Sequence, residues 1–94
     1  MALARVVEFE DVSQDRVDEM KQRMQDGQPP EGLPPMELVW LHDANAQKSV
    51  VIQFFDSEED LNRAAAVLEA MPADETPGQR TSVTKYDVAH RQSA

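Results

Sequence analysis

The chain has 94 residues and no cysteine, and its 18 acidic residues against 9 basic ones give a net charge of −9. This charge opposes the phosphate contacts on which nucleic-acid affinity depends, and it disfavours anionic membranes equally. Nucleic acid and membrane are therefore excluded as expected partners. The length fits a single domain over residues 1–94, and the absence of cysteine removes thiolate chemistry. No stretch has the pattern of a signal peptide or of a membrane-spanning segment, which predicts a cytoplasmic protein.

The first two predicted elements are a strand and a helix. Residues 3–12 alternate between apolar and acidic side chains, as a strand with one covered face does, although Arg5 and Val6 interrupt the alternation. Ser13 is a typical N-cap, and apolar side chains at helical spacing predict a helix over residues 14–25. Gly27 is expected to close that helix.

The segment that follows is rich in proline. Residues 28–35 contain four prolines and one glycine, a composition that excludes regular structure. A connection of this kind is either a lid or partner-contacting loop or, more commonly, a spacer. Residues 36–42 then predict a second strand with apolar side chains on both faces, and residues 43–47 predict a hairpin turn.

The clearest structural signals lie in residues 48–71. The run from Val50 to Phe55 is β-branched and aromatic except at Gln53, which predicts a central strand covered on both faces. Ser57 is expected to cap a helix with an acidic first turn and an apolar stripe reaching Met71, and Pro72 is expected to end it. Residues 81–88 predict the fourth strand, and the remaining residues predict a frayed tail.

The order β-α-β-β-α-β predicts an α+β fold of the ferredoxin-like type, with a four-stranded antiparallel sheet and both helices on one face. Strands one and three are expected to lie parallel to each other at its centre. The other face has no cover within one chain, which predicts a homodimer packed sheet to sheet. The residues that alternation assigns to this uncovered face are Val51, Gln53, Phe55, Val6 and Glu8, with Trp40, His42, Thr84 and Tyr86 as further candidates.

The passage VVIQFFDSEEDLNRAA at residues 50–65, the strand SVTKYDV at residues 82–88 and the order of elements together resemble the dimeric α+β barrel superfamily. That superfamily includes small bacterial proteins of the antibiotic-biosynthesis-monooxygenase-like type. The resemblance implies a homodimer that holds any ligand between sheet and helices or inside the barrel. Cofactor-free oxidation of aromatic compounds, haem degradation, isomerisation and decarboxylation all occur on this scaffold, and the fold does not choose among them.

Four residues are candidates for contact with a ligand. His42 ends strand two and would act as a general base or hydrogen-bond donor, or would simply pack at the hairpin. Trp40 and Tyr86 would form aromatic walls around a planar molecule, or would be core or dimer-interface residues. Phe55 is the fourth candidate. Asn62 and Tyr86 are also catalytic candidates, since Asn and Tyr are types that orient an oxyanion, although a residue at the place of Asn62 on a surface helix is more often solvated.

Two further patterns bear on cofactors and charge. No metal or haem ligation is expected, because the chain has only two histidines and the second helix has none, and three glycines are too few for a nucleotide-binding loop. Glu8 and Glu10 would form a carboxylate pair of raised pKa, or would form ion pairs with Arg5 or Lys85.

Because the sequence contains few candidate catalytic groups, it favours a small-molecule-binding or interaction module that acts as a homodimer. The alternative is a cofactor-independent monooxygenase-like enzyme acting on a small aromatic compound. This alternative requires Trp40, His42 and Tyr86 to share one environment.

Overall fold

The computed structural model describes residues 2–27, 32–71 and 76–93. The order β-α-β-β-α-β is confirmed, so the chain has the α+β, ferredoxin-like arrangement. Pro72 lies outside the described residues; the second helix already ends at Glu69, with Ala70 as its C-cap. The elements are β1 (Leu3–Glu10), α1 (Gln14–Asp26), β2 (Glu37–Asp43), β3 (Lys48–Phe55), α2 (Glu58–Glu69) and β4 (Gln79–Asp87).

The four strands form one sheet in the order β2-β3-β1-β4. Strands β1 and β3 lie at the centre as predicted, but they are antiparallel, with Leu3 opposite Phe55 and Phe9 opposite Ser49. The predicted parallel orientation is therefore wrong. The reason is the β2–β3 hairpin, which reverses the chain between the crossover from β1 and the return along β3.

Both helices begin where their serine caps predict. The Ser13 hydroxyl accepts a hydrogen bond from the Arg16 amide at 3.1 Å, and the Ser57 hydroxyl accepts one from the Asp60 amide at 3.2 Å. These contacts satisfy amide groups that have no partner inside the helix. At the other end of α1, the amide of Gly27 donates to the Arg23 carbonyl at 2.8 Å, which confirms Gly27 as the closing residue.

The helices pack on one face of the sheet and divide its core into two clusters. The cluster under α1 and the cluster under α2 meet along β1 and β3, which contribute to both. The α1 cluster contains Val7, Phe9, Val12, Val17 and Val51, with Leu38 and Trp40 packed against it. The α2 cluster contains Leu3, Phe55, Leu61 and Ala64, with Leu33, Met36 and Leu68 packed against it. The described end of the proline-rich segment, from residue 32, thus contributes Leu33 to the core.

The assignment of faces along β3 is reversed from the prediction. Val51, Gln53 and Phe55 are buried on the helix-covered face, and Val50, Ile52 and Phe54 lie on the opposite one. The alternation of β3 was visible in the sequence, but its direction was not, because both faces of this strand are apolar.

The other strands follow from the pairing with β3 and β1. Val6 lies opposite Ile52 and Glu8 opposite Val50, so both are on the uncovered face as predicted. Thr84 lies opposite Val6 and Tyr86 lies opposite Ala4, so both are also on the uncovered face. Trp40 and His42 are instead on the helix-covered face, since they lie opposite Val51 and Ser49.

The uncovered side of the sheet, called the open face below, has an apolar centre with a charged rim. At the rim, Arg91 from the tail forms an ion pair with Glu37, and its guanidinium lies 4.3 Å from the centroid of the Phe54 ring. The apolar side chains of the open face include Ala4, Val6, Val39, Leu41, Val50, Ile52 and Phe54. In the described part of the chain, no helix combines the length and apolar character needed to cross a membrane.

Candidate functional site

A groove of about 600 Å³ separates α1 from the edge strand β2. It exists because α1 buries only one of its side chains, Val17, against the sheet, and the rest of the helix stands away from β2. Met24 on α1 remains 53% exposed as a result. The groove is lined by Gln14, Val17, Lys21, Met24 and Gln25 from α1 and by Leu38, Trp40, His42 and Ala44 from β2 and the turn after it.

Trp40 forms the apolar wall of the groove. Its ring packs against the α1 cluster, beside Val51 on the neighbouring strand. Its indole Nε1 is buried and has no hydrogen-bond partner among the described residues. The indole N–H is a donor only, so this atom requires an acceptor that the described chain does not supply.

His42 supplies a second polar atom of the same kind. Its Nδ1 lies 2.8 Å from the hydroxyl oxygen of Ser49, which is 2% exposed. This contact fixes the ring orientation and leaves Nε2 buried and without a partner in the described chain. If the Ser49 hydroxyl donates to Nδ1, then Nε2 of a neutral ring carries the proton and is a donor; in the opposite tautomer it is an acceptor.

The two unpartnered atoms give the groove its chemical character. A buried polar group without a partner costs ~1–3 kcal/mol, so leaving two of them in one small domain is expensive. Lys21 adds a positive charge, and no carboxylate occurs among the described residues that line the groove. In a chain of net charge −9, this groove is suited to a planar molecule with hydrogen-bonding groups at its edge, neutral or anionic.

The remaining predicted ligand-contacting residues lie elsewhere. Tyr86 is 54% exposed on the open face, across the sheet from the groove. Asn62 is exposed on α2, and Phe55 is 2% exposed within the α2 cluster. The structure therefore brings together Trp40 and His42 and separates both from the other three candidates.

The two glutamates of β1 have local partners. Glu8 accepts a hydrogen bond from the Ser82 hydroxyl at 2.6 Å, and Glu10 lies 3.7 Å from the Lys48 ammonium. Neither pairs with Arg5 or Lys85 as suggested, because those side chains project from the other face of the sheet. Lys85 instead pairs with Glu58 of α2 at 3.1 Å.

The sequence reasoning missed three buried polar residues, Arg5, Ser49 and Gln53. The sequence did contain a signal for Arg5. Arg5 lies two residues from the buried Leu3 and from the buried Val7, and residues two apart on a strand point to the same face of the sheet. The sequence analysis instead treats Arg5 as an interruption of the alternation. Ser49 and Gln53 share a face with Val51, but nothing local indicates which face that is.

Metal ligation has no arrangement to support it in the residues described. Within residues 2–27, 32–71 and 76–93, no three His, Cys, Asp or Glu side chains cluster so as to hold an ion. His90 lies in the exposed tail, where its ring contacts the side chain of Gln92 at 2.9 Å.

No protein-family model matches the chain, and no curated protein matches it. Among solved structures, the chain is similar to that of Rv0793 from Mycobacterium tuberculosis, with 17% sequence identity and a TM-score of 0.40. The match covers 99% of this chain and 100% of that one. Likeness at this level carries no inference about function.

Proposed function

We propose that the protein is a small-molecule-binding module that holds a planar ligand in the groove between α1 and β2. The observation that carries this proposal is the pair of buried, unpartnered polar atoms at the groove, Trp40 Nε1 and His42 Nε2. A ligand with an acceptor at its edge would complete the hydrogen bonds that the described chain leaves open, and its ring would stack on Trp40.

The indole N–H resonance tests the proposal directly in ¹⁵N-edited NMR, because Trp40 is the single tryptophan of the chain. The probes are phenol, indole, 2-naphthol and salicylate, titrated unlabelled against a fixed concentration of ¹⁵N-labelled protein. We expect at least one of them to shift the Trp40 Nε1–H resonance saturably. Replacing His42 by Gln should weaken that binding about tenfold, since one hydrogen bond of a buried group is worth about 1.4 kcal/mol.

The other histidine provides a matched control. His90→Gln removes an exposed imidazole far along the chain and should leave the dissociation constant unchanged. Absence of a saturable change with every probe, or equal weakening in the two variants, would refute ligand binding at this groove.

We further propose that the open face is the interface of a homodimer. Its centre is apolar, and two of its rim carboxylates are paired with cations within the chain, Glu37 with Arg91 and Glu10 with Lys48, which lowers the repulsion between two acidic copies. A sheet-to-sheet dimer would also match the arrangement implied by the resemblance to the dimeric α+β barrel superfamily.

Two lysine substitutions on opposite faces of the sheet test this interface. Ile52 lies at the centre of the open face, between Val6 and Val39, whereas Val83 is 42% exposed on the helix-covered side. In sedimentation velocity, Ile52→Lys should give a monomer and Val83→Lys should keep the dimer. A wild-type monomer at 100 μM, or a dimer that survives Ile52→Lys, would exclude this interface.

A monooxygenase-like enzyme built on Trp40, His42 and Tyr86 is not favoured. Tyr86 lies across the sheet from the other two, so the three side chains do not surround one substrate.

A further inference from the structure

Arg5 is an unusual residue for the middle of a small domain. It lies on the helix-covered face of the central strand β1, and it is only 3% exposed. Arginine is rarely buried to this extent unless its charge and all its donors are paired. The described partners of Arg5 meet only part of that requirement.

One side of the guanidinium is satisfied and the other is not. Nη1 donates to the side-chain oxygen of Gln53, the residue opposite Arg5 on the neighbouring strand β3, at 2.9 Å. Nε and Nη2 are both buried and have no hydrogen-bond partner among the described residues. These two atoms form the same edge of the guanidinium, the edge from which two parallel N–H bonds meet the two oxygens of a carboxylate or phosphate.

Among the described residues, Glu69 is the carboxylate that forms an ion pair with that edge, but it does not occupy it. Its Oε1 lies 3.7 Å from Nη2, beyond hydrogen-bond distance, and the side chain is 53% exposed. Glu69 is the last residue of α2, where the partial negative charge of the helix end also stabilises a cation. A half-exposed side chain can rotate into solvent, which would open the free edge to a molecule from outside.

The electrostatic surroundings agree with an incomplete site. Burial lowers the pKa of the Arg5 guanidinium below its ordinary value, the charge of Glu69 opposes this effect, and the charge of Arg80 adds to it; the close approach of the Glu69 carboxylate to the guanidinium also opposes the lowering. Lys85, opposite Arg5 on β4, is already paired with Glu58. The charge of Arg80 beside a buried arginine is unfavourable for the empty protein and favourable for a bound anion.

We propose that the Nε–Nη2 edge of Arg5 binds an oxyanion, a carboxylate or phosphate group of a small ligand, and that the Glu69 carboxylate competes with this ligand for the edge. The ligand would accept two hydrogen bonds from Arg5, while Gln53 holds the guanidinium in place through Nη1. This site is separate from the groove at Trp40, since Arg5 is not among the residues that line the groove.

The test follows the Arg5 Nε–H resonance by ¹⁵N-edited NMR during titration with sodium acetate, sodium phosphate or, as a reference, sodium chloride at constant ionic strength. We expect a saturable downfield shift with acetate, phosphate or both, and none with chloride. A response to acetate alone would identify a planar carboxylate as the ligand group, and a response to phosphate alone a phosphoryl group.

Substitution of Glu69 separates the proposal from a plain ion pair. Glu69→Gln removes the competing carboxylate at an exposed position, so the apparent dissociation constant for the anion should fall about tenfold. If Glu69 were simply the structural partner of Arg5, the wild-type protein would respond to neither anion, whatever the response of Glu69→Gln. That result would overturn the proposal.

A matched pair of arginine variants locates the binding. Arg5→Met keeps the volume of the side chain without its donors, and Arg63→Met removes an exposed arginine of α2 that pairs with Glu59. Anion binding, followed for both variants by the shift of the Gln53 side-chain amide, should disappear in Arg5→Met and persist in Arg63→Met. Should Arg5→Met fail to fold, the titration of the wild-type protein still decides the question.

Discussion

Two adjacent phenylalanines provide the sharpest test of which face of the sheet the helices cover. Phe55 is 2% exposed within the α2 cluster, whereas Phe54 is half-buried on the open face with Arg91 over its ring. The same substitution at neighbouring positions of one strand should therefore have unequal effects on the free energy of unfolding.

The magnitudes follow from what each ring leaves behind. Phe55→Ala removes a fully buried ring and leaves an enclosed cavity, which should cost ~3–5 kcal/mol. Phe54→Ala leaves no closed cavity, so the protein loses only the free energy gained by removing the apolar surface of this ring from water, ~1.5 kcal/mol. The gap of about 2 kcal/mol corresponds to about 8–16 °C in melting temperature for a domain of this size.

The assay is urea unfolding followed by far-ultraviolet circular dichroism and by Trp40 fluorescence, at 0.5 μM protein to suppress self-association. Equal losses for the two variants at this concentration would refute the assignment of faces. Repeating the measurement at 100 μM adds a test of the dimer. The cost of Phe54→Ala should increase with protein concentration if the open face is an interface, and the cost of Phe55→Ala should increase much less.

Three further substitutions have expected effects on stability, all measurable by urea unfolding. Ser57→Ala should cost ~1 kcal/mol, because the hydroxyl no longer accepts from the Asp60 amide, and an unchanged midpoint would contradict the cap. Gly78→Ala should cost ~1–3 kcal/mol, since the new Cβ would lie 2.5 Å from the Glu10 carbonyl oxygen; a neutral effect would show that β4 approaches β1 less closely. Gln47→Gly should stabilise the protein by about 0.5 kcal/mol, because Gln47 has a φ of 55° in the β2–β3 turn, and a loss of stability would indicate that its side chain contributes there.

Some features of this protein were determined by the sequence alone, and they are local ones. Ser13 and Ser57 set the starts of the helices, because a cap acts on amides within three residues of itself. The order of strands and helices followed from periodicity along short segments, and that order restricts the topology to the ferredoxin-like arrangement with β1 and β3 at the centre.

The faces of the sheet were decided only by tertiary structure. Strand β3 is apolar on both sides, so its alternation is compatible with either orientation, and the choice depended on which residues α1 and α2 cover. Because the helices cover the face that carries Val51, Phe55 is buried, Trp40 and His42 lie beneath α1, and Tyr86 lies on the other side. A candidate site that combines these residues cannot be predicted correctly without knowing which face the helices cover.

The buried polar contacts also depended on the tertiary fold. Arg5 meets Gln53 and Glu69, residues far along the chain that reach it only after β3 pairs with β1 and α2 crosses over the sheet. His42 and Ser49 face each other because the β2–β3 hairpin places them in register. Local propensity determines where elements begin and end, but the environment of a side chain depends on its neighbours in space, and those are set by the packing of distant segments.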